Sequence, residues 1–257
     1  MSKNFELLQQ IGKEQEIFQT SSPERALVDA EALEKLAPMM PYAAAADVAT
    51  KEVAEVNALV QRMFLLAGSE APRTVVFTGS ESGSGCTWIC ARAAKALASQ
   101  VAGSVCVVDA NLRAPGLHSE FGIPNHYGLS DALLQAEPMS NFVTQLSQPN
   151  LYIVSCGSAT EQAQGLLTSN RMRARINELR DSFNYLLVDT AAMNVAKDAA
   201  VLGAGSDGVV LLLKANTTRK ETARSAVQEL QAAKIKVFGA VLNQRTFPIP
   251  EALYKKL

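Results

Sequence analysis

Six short apolar runs, with stretches of helical pattern between them, constrain this chain more than any other feature. The runs are TVVFT at 74–78, SVCVVD at 104–109, LYIVS at 151–155, YLLVD at 185–189, GVVLLLK at 208–214 and KVFGAVLN at 236–243. Most are continuously apolar rather than alternating, the pattern of strands covered on both faces of a parallel sheet. Helical spacing falls between them, at 86–100, 128–136, 169–182, 197–203 and 218–233. The expected fold is a doubly wound α/β domain with helices on both faces, whose ligand belongs at the C-terminal strand ends.

The first run leads into the most specific local motif, RTVVFTGSESGSGCTWICARAA over Arg73 to Ala94. A strand, a Gly/Ser loop and a helix in this order bring backbone N–H groups and a helix N-terminus up to an anion, the frame of a phosphate-binding P-loop. Gly79 before the loop, Gly83 and Ser84 within it and Gly85-Cys86-Thr87 at its end follow that pattern. The residue that should be a lysine reaching the β- and γ-phosphates is Cys86.

Other strand ends supply oxygens. Asp109 closes the second run, with Asn111 and Arg113 just beyond, and Asp189 closes the fourth. With the Thr87 hydroxyl these carboxylates form a hard-oxygen set suited to Mg²⁺. Asn243 ends the last run, where it either caps the sheet or meets an adenine edge.

The remaining chain sets limits. A formal net charge of −1 fits neither nucleic-acid binding nor a polybasic membrane anchor. No apolar run is long enough to span a bilayer, and the polar N-terminus is not a signal peptide, so a cytoplasmic protein is expected. Cys86, Cys90, Cys106 and Cys156 show neither zinc nor disulfide spacing and are expected as small buried hydrophobes. Residues 1–50 read as an extension: an amphipathic helix over 1–22 carrying Phe5, Leu8, Ile11 and Phe18, then a Pro/Ala-rich linker. The domain proper is placed at 51–257. Its first helix, 51–67, carries an apolar stripe of Val53, Val56, Leu59, Val60 and Phe64, suited either to docking on the domain or to self-association.

Taken in order, GSGCT, VVDANLRAP, GLSDALLQ, YLLVDT, SDGVVLLLKA and GAVLN resemble the bacterial tyrosine kinases of capsular and exopolysaccharide operons. These kinases belong to the deviant P-loop ATPases, which also include the division-site and partition ATPases. The resemblance implies ATP or ADP with Mg²⁺ as ligands and a membrane-embedded polysaccharide chain-length or export protein as partner. It further implies phosphate binding at the position of Cys86, Mg²⁺ on Thr87 and Asp189, and help to an attacking tyrosine hydroxyl from Asp109.

The departures weaken each kinase feature. Glu81 stands where the division-site relatives carry a second lysine, and Asp109-Ala-Asn111 has one carboxylate fewer than the usual Asp-x-Asp. Glu55, Ala58 and Gln61 replace a Glu-x-x-Arg-x-x-Arg oligomerisation motif, so a monomer or weak dimer is expected. The terminal tyrosine cluster is reduced to Tyr254.

One lost charge-assisted hydrogen bond costs about 1.5–3 kcal/mol, or roughly 10- to 100-fold in affinity. Weak nucleotide binding survives that loss; phosphoryl transfer, which rests on positioning and charge, does not. The expected function is a pseudokinase-like regulatory or scaffolding protein recruited to the inner membrane by its partner. The alternatives are an active autokinase in which Arg113 or another cation replaces the lysine, and a partition-type ATPase switch.

Overall fold

The computed structural model describes residues 52–158 and 161–245. The helix expected over 1–22, the linker that follows it and Tyr254 lie outside the described residues. The first helix, α1, covers 52–60 and runs into a π-helical turn, Gln61–Leu65, closed by Leu66 N–H donating to the Gln61 carbonyl at 2.8 Å. Then follow β1 (Thr74–Gly79), α2 (Cys86–Gln100), β2 (Val105–Asp109), α3 (Leu117–Phe121) and α4 (Leu129–Leu134). Next come β3 (Thr144–Gln145), β4 (Leu151–Val154), α5 (Glu161–Leu166), α6 (Asn170–Ser182) and β5 (Tyr185–Asp189). The chain continues through α7 (Asp198–Gly203), β6 (Gly208–Lys214), α8 (Lys220–Ala232) and β7 (Val237–Asn243).

The seven strands form one sheet in the order β3-β4-β2-β5-β1-β6-β7, parallel throughout except for β3. The six expected runs are the six parallel strands. The short antiparallel edge strand β3 was not expected, because its two exposed polar residues carry no apolar pattern. The five- and six-residue helices α3 and α5 are too short to show a helical period.

Burial explains the continuous apolar runs. On one face Val75, Phe77, Val105, Val107 and Leu187 pack against α1 and α2; on the other Val76, Val108, Leu186 and Val188 pack among residues of α4, α6, α7 and α8. Every residue of β1 is buried. The stripe of α1 is consumed by the first of these cores: Val56, Leu59, Val60 and Phe64 are buried, and the Phe64 ring meets Tyr185 edge-on at 5.9 Å. Of the two uses open to that helix, the structure shows docking on the domain; only Val53 of the stripe remains exposed.

From β1 the chain moves to β2 on one side, and from β5 it crosses β1 to β6 on the other, so β1 sits where the winding reverses. That reversal opens a crevice at the C-terminal strand ends, where open α/β sheets bind ligands. The register brings the expected residues to this edge: Phe77 and Asp109 both pair with Asp189.

Candidate functional site

The chain leaves β1 into a loop that doubles back on itself before α2. Strictly spaced, the first glycine of the P-loop pattern falls on Ser80 rather than Gly79. Gly79 is required for another reason: a Cβ there would lie 2.1 Å from Ser84 Oγ. Gly83 and Gly85 hold φ of 78° and 79°, the left-handed region that glycine enters freely. A Cβ on Gly85 would also meet Asn243 Nδ2 at 2.3 Å.

That near contact belongs to a clamp. Asn243 Nδ2 donates to the Ser84 carbonyl at 2.9 Å, Gln244 Nε2 donates to the Gly83 carbonyl at 3.1 Å, and Ser80 N–H donates to the Leu212 carbonyl at 2.9 Å. Asn243, expected to cap the sheet or to meet an adenine edge, serves in this structure as a strut under the loop. Glu81 is also engaged: its carboxylate accepts from the Thr218 hydroxyl, which itself accepts from Lys214 N–H at 2.9 Å. The charge that the sequence sets against a phosphate is thus tied to the connection after β6.

The 15-residue helix α2 begins at Cys86 behind Gly85, with no side chain capping its N-terminus. The positive end of its dipole therefore faces the loop. Cys86 keeps part of its surface exposed, but its thiol sits inward beside Asp189. Burial, then the Asp189 carboxylate, hold that thiol well above its ordinary pKa, so it is a neutral SH group. Thr87 Oγ1 donates to Asp189 Oδ2 at 2.6 Å. Asp189 is fully buried, and its Oδ1 has no hydrogen-bond partner among the described residues. Burial and the neighbouring Asp109 raise its pKa from 3.8 to about 7.

Asp109 is equally buried but fully engaged. Its carboxylate accepts from the backbone N–H groups of Asn111 at 3.2 Å, Gly116 at 3.0 Å and Leu117 at 3.0 Å, which closes the loop between β2 and α3. Burial raises its pKa to about 6 against the pull of those three donors. Asn111 accepts from Ala114 N–H at 3.2 Å and so shapes the same turn. Arg113 sends its Nε to within 3.7 Å of Asp198 Oδ2 at the start of α7.

The residues named from the sequence therefore gather at one edge in two groups. Thr87 and Asp189 meet directly, with Cys86 next to Thr87 in the chain; Asp109, Asn111 and Arg113 belong to the strand end and loop beside them. The partners Thr218, Asp198 and Gln244 were missed. Asp198 alone left a trace, an acid opening the helical pattern at 197–203. Thr218 and Gln244 act through contacts distant in sequence.

The unpartnered Asp189 oxygen beside the Thr87 hydroxyl fits a hard cation. Mg²⁺ is commonly held by one or two carboxylates, phosphate oxygens and waters, which is all this edge would have to provide. Among the described residues no three His, Cys, Asp or Glu side chains cluster to cage a metal by themselves.

Comparison with known proteins decides the lineage. Residues 73–232 match the family model described as cellulose biosynthesis protein BcsQ. The chain belongs to this family. Its relatives include tyrosine-protein kinase YwqD of Bacillus subtilis, 30% identical over 171 residues that make up 66% of this chain and 72% of YwqD. The kinase domain of VpsO superposes with a TM-score of 0.70 at 25% identity, covering 78% of this chain and 98% of that domain. The resemblance to bacterial tyrosine kinases thus holds in sequence and in fold. At 14% identity and a TM-score of 0.58, covering 65% of this chain and 71% of that one, cobyrinic acid a,c-diamide synthase from Mycobacterium smegmatis shares the fold alone; its structure holds an ATP analog and magnesium. Among the described residues no helix of this BcsQ-family chain is long and apolar enough to cross a membrane.

Proposed function

We propose that this BcsQ-family chain is a regulatory, pseudokinase-like partner in polysaccharide assembly that binds ATP or ADP weakly and does not turn it over. One observation carries the proposal: the loop position of the P-loop lysine, the first residue of α2 behind Gly85, is Cys86, whose side chain brings no cation. Loop N–H groups and the N-terminus of α2 remain to hold phosphates, and Thr87 and Asp189 would hold Mg²⁺. Bound Mg²⁺ would neutralise charge on the phosphate oxygens. What the loop itself lacks is its lysine, a fixed cation over the transferring group of the kind phosphoryl transfer depends on most. Asp109 is ill-placed as a base for a tyrosine hydroxyl, since both its oxygens already accept backbone N–H groups. The partner in this reading is a membrane-embedded polysaccharide export or chain-length protein, which would recruit the chain to the cytoplasmic face of the inner membrane.

The active autokinase is the second reading, favoured by the retention of Thr87 and Asp189 in direct contact. Incubating the purified chain with Mg²⁺ and ATP separates the two. The proposal predicts no multiple-turnover ADP release and no phosphotyrosine on the product. Sustained turnover by the unmodified chain would overturn it.

A further inference from the structure

The sheet ends in two edges of different character. At β7 the edge is broken by a bulge, where the register steps from Val209↔Val237 to Val210↔Gly239, and Lys236 stands just before it. A bulge and a lysine are devices that keep an exposed edge from pairing. The β3 edge has neither: residues 138–160 contain no charged side chain. Leu146 N–H donates to the Leu151 carbonyl at 2.9 Å, so the alternation of an antiparallel ladder makes Thr144 the β3 residue bonded to β4. Gln145 therefore turns its N–H and C=O outward. Val143, extended at φ −95° and ψ 131°, faces the same way. Among the described residues no strand lies beyond β3.

A groove adjoins that edge. Met139, Val143, Gln145, Tyr152, Leu179 and Phe183 line a cavity of about 270 Å³, where the Tyr152 and Phe183 rings meet at 5.1 Å. The volume is below that of an ordinary small-molecule site and suits one large side chain. Acids surround it. Glu178 accepts from Met139 N–H at 3.1 Å and from Arg175 at 3.1 Å, which balances its charge. Glu137 holds only the neutral Asn141 amide at 2.8 Å, and the exposed Asp181 precedes Ser182, which also lines the groove. Arg171, Arg173 and Arg180 of α6 donate instead to Gln135, Asn170 and Gly205. Glu137 and Asp181 therefore leave the rim negative.

We infer that the β3 edge is a docking site for an extended segment of a partner protein, which adds a strand along Val143 and Gln145 and seats one large apolar side chain, flanked by Lys or Arg, in the groove. Strand addition draws affinity from main-chain hydrogen bonds and specificity from pockets for alternate side chains. Each part of the occupant answers one observation. The outward backbone groups call for an extended chain, the cavity for a single side chain, and the negative rim for flanking cations. The site lies four strands from β1 and does not depend on whether the loop binds nucleotide.

The test is the fluorescence anisotropy of a short labelled peptide titrated with the full chain. The probe is threonine-rich, with a central leucine and, at the next position on the same face to either side, a lysine. It is expected to bind, about tenfold more weakly once the leucine is replaced by serine, and not at all once its central backbone is N-methylated. On the protein, Gln145→Pro removes an outward N–H while Thr144 keeps its bonds to β4, and is expected to weaken binding about tenfold. Gln145→Thr, which keeps that N–H, is expected to lose less; an equal loss would contradict strand pairing. Ser182→Trp fills the groove and is expected to abolish binding. That variant and the N-methylated peptide decide the matter should Gln145→Pro fold poorly. Absence of binding by the folded, unmodified chain would overturn the inference. So would binding indifferent to Ser182→Trp and to N-methylation, which places the peptide elsewhere. A dimer of the unmodified chain that Gln145→Pro dissociates, seen by light scattering, would also overturn it, by giving the edge to a second copy.

Discussion

Asp189 carries a sharp electrostatic conflict: a fully buried carboxyl in register with a second one, with a single hydroxyl donor from Thr87. With its pKa raised from 3.8 to about 7, the folded chain keeps a proton that the unfolded chain has lost above about pH 4. Asp109, raised to about 6, acts in the same direction. The native state therefore binds more protons, and stability falls as pH rises from about 4 to about 7, then levels off. Urea unfolding of the Mg²⁺-free chain is expected to show a higher midpoint at pH 5 than at pH 8. Asp189→Asn should remove much of that difference; a higher midpoint at pH 8 would contradict the account. Both acids were legible in the sequence because each ends an apolar run. Their different duties were not, since Asp109 is satisfied by N–H groups that reach it only after the 110–117 turn has folded.

At the scale of elements, the loop is a braced structure rather than a flexible tether awaiting phosphate. Asn243, Gln244 and Thr218 hold it from the ends of β6 and β7. Glu81 belongs to this bracing, so Glu81→Ala is expected to loosen the loop and to cost about 1 kcal/mol, rather than to relieve a clash with phosphate. Hydrogen exchange at residues 80–87 should quicken in that variant, and unchanged exchange would show that the Thr218 contact holds nothing. The Gly/Ser composition made the loop itself legible, whereas its braces follow from strand order: β7 must lie outside β6 before Asn243 can reach Ser84. The α1 stripe shows a similar limit. Its spacing announced a buried face, but the surface burying it became known only with the sheet, which supplies Val75, Phe77 and Tyr185.

For the whole molecule, the winding of the sheet reverses about β1, and this places the loop, Asp109 and Asp189 at one edge. The parallel sheet was legible because its strands are buried on both faces and so read as unbroken apolar runs. The edge strand β3 escaped because it is short and exposed. The account's central claim is that this edge is a phosphate cradle short of one cation, in a chain whose kinase relatives share the fold. Titrating ATP with Mg²⁺ into the unmodified chain and into Cys86→Lys tests it most directly. The account predicts weak binding by the first and binding tighter by roughly 10- to 100-fold in the second. If neither binds at millimolar ATP while both melt cooperatively, the edge is not a nucleotide site.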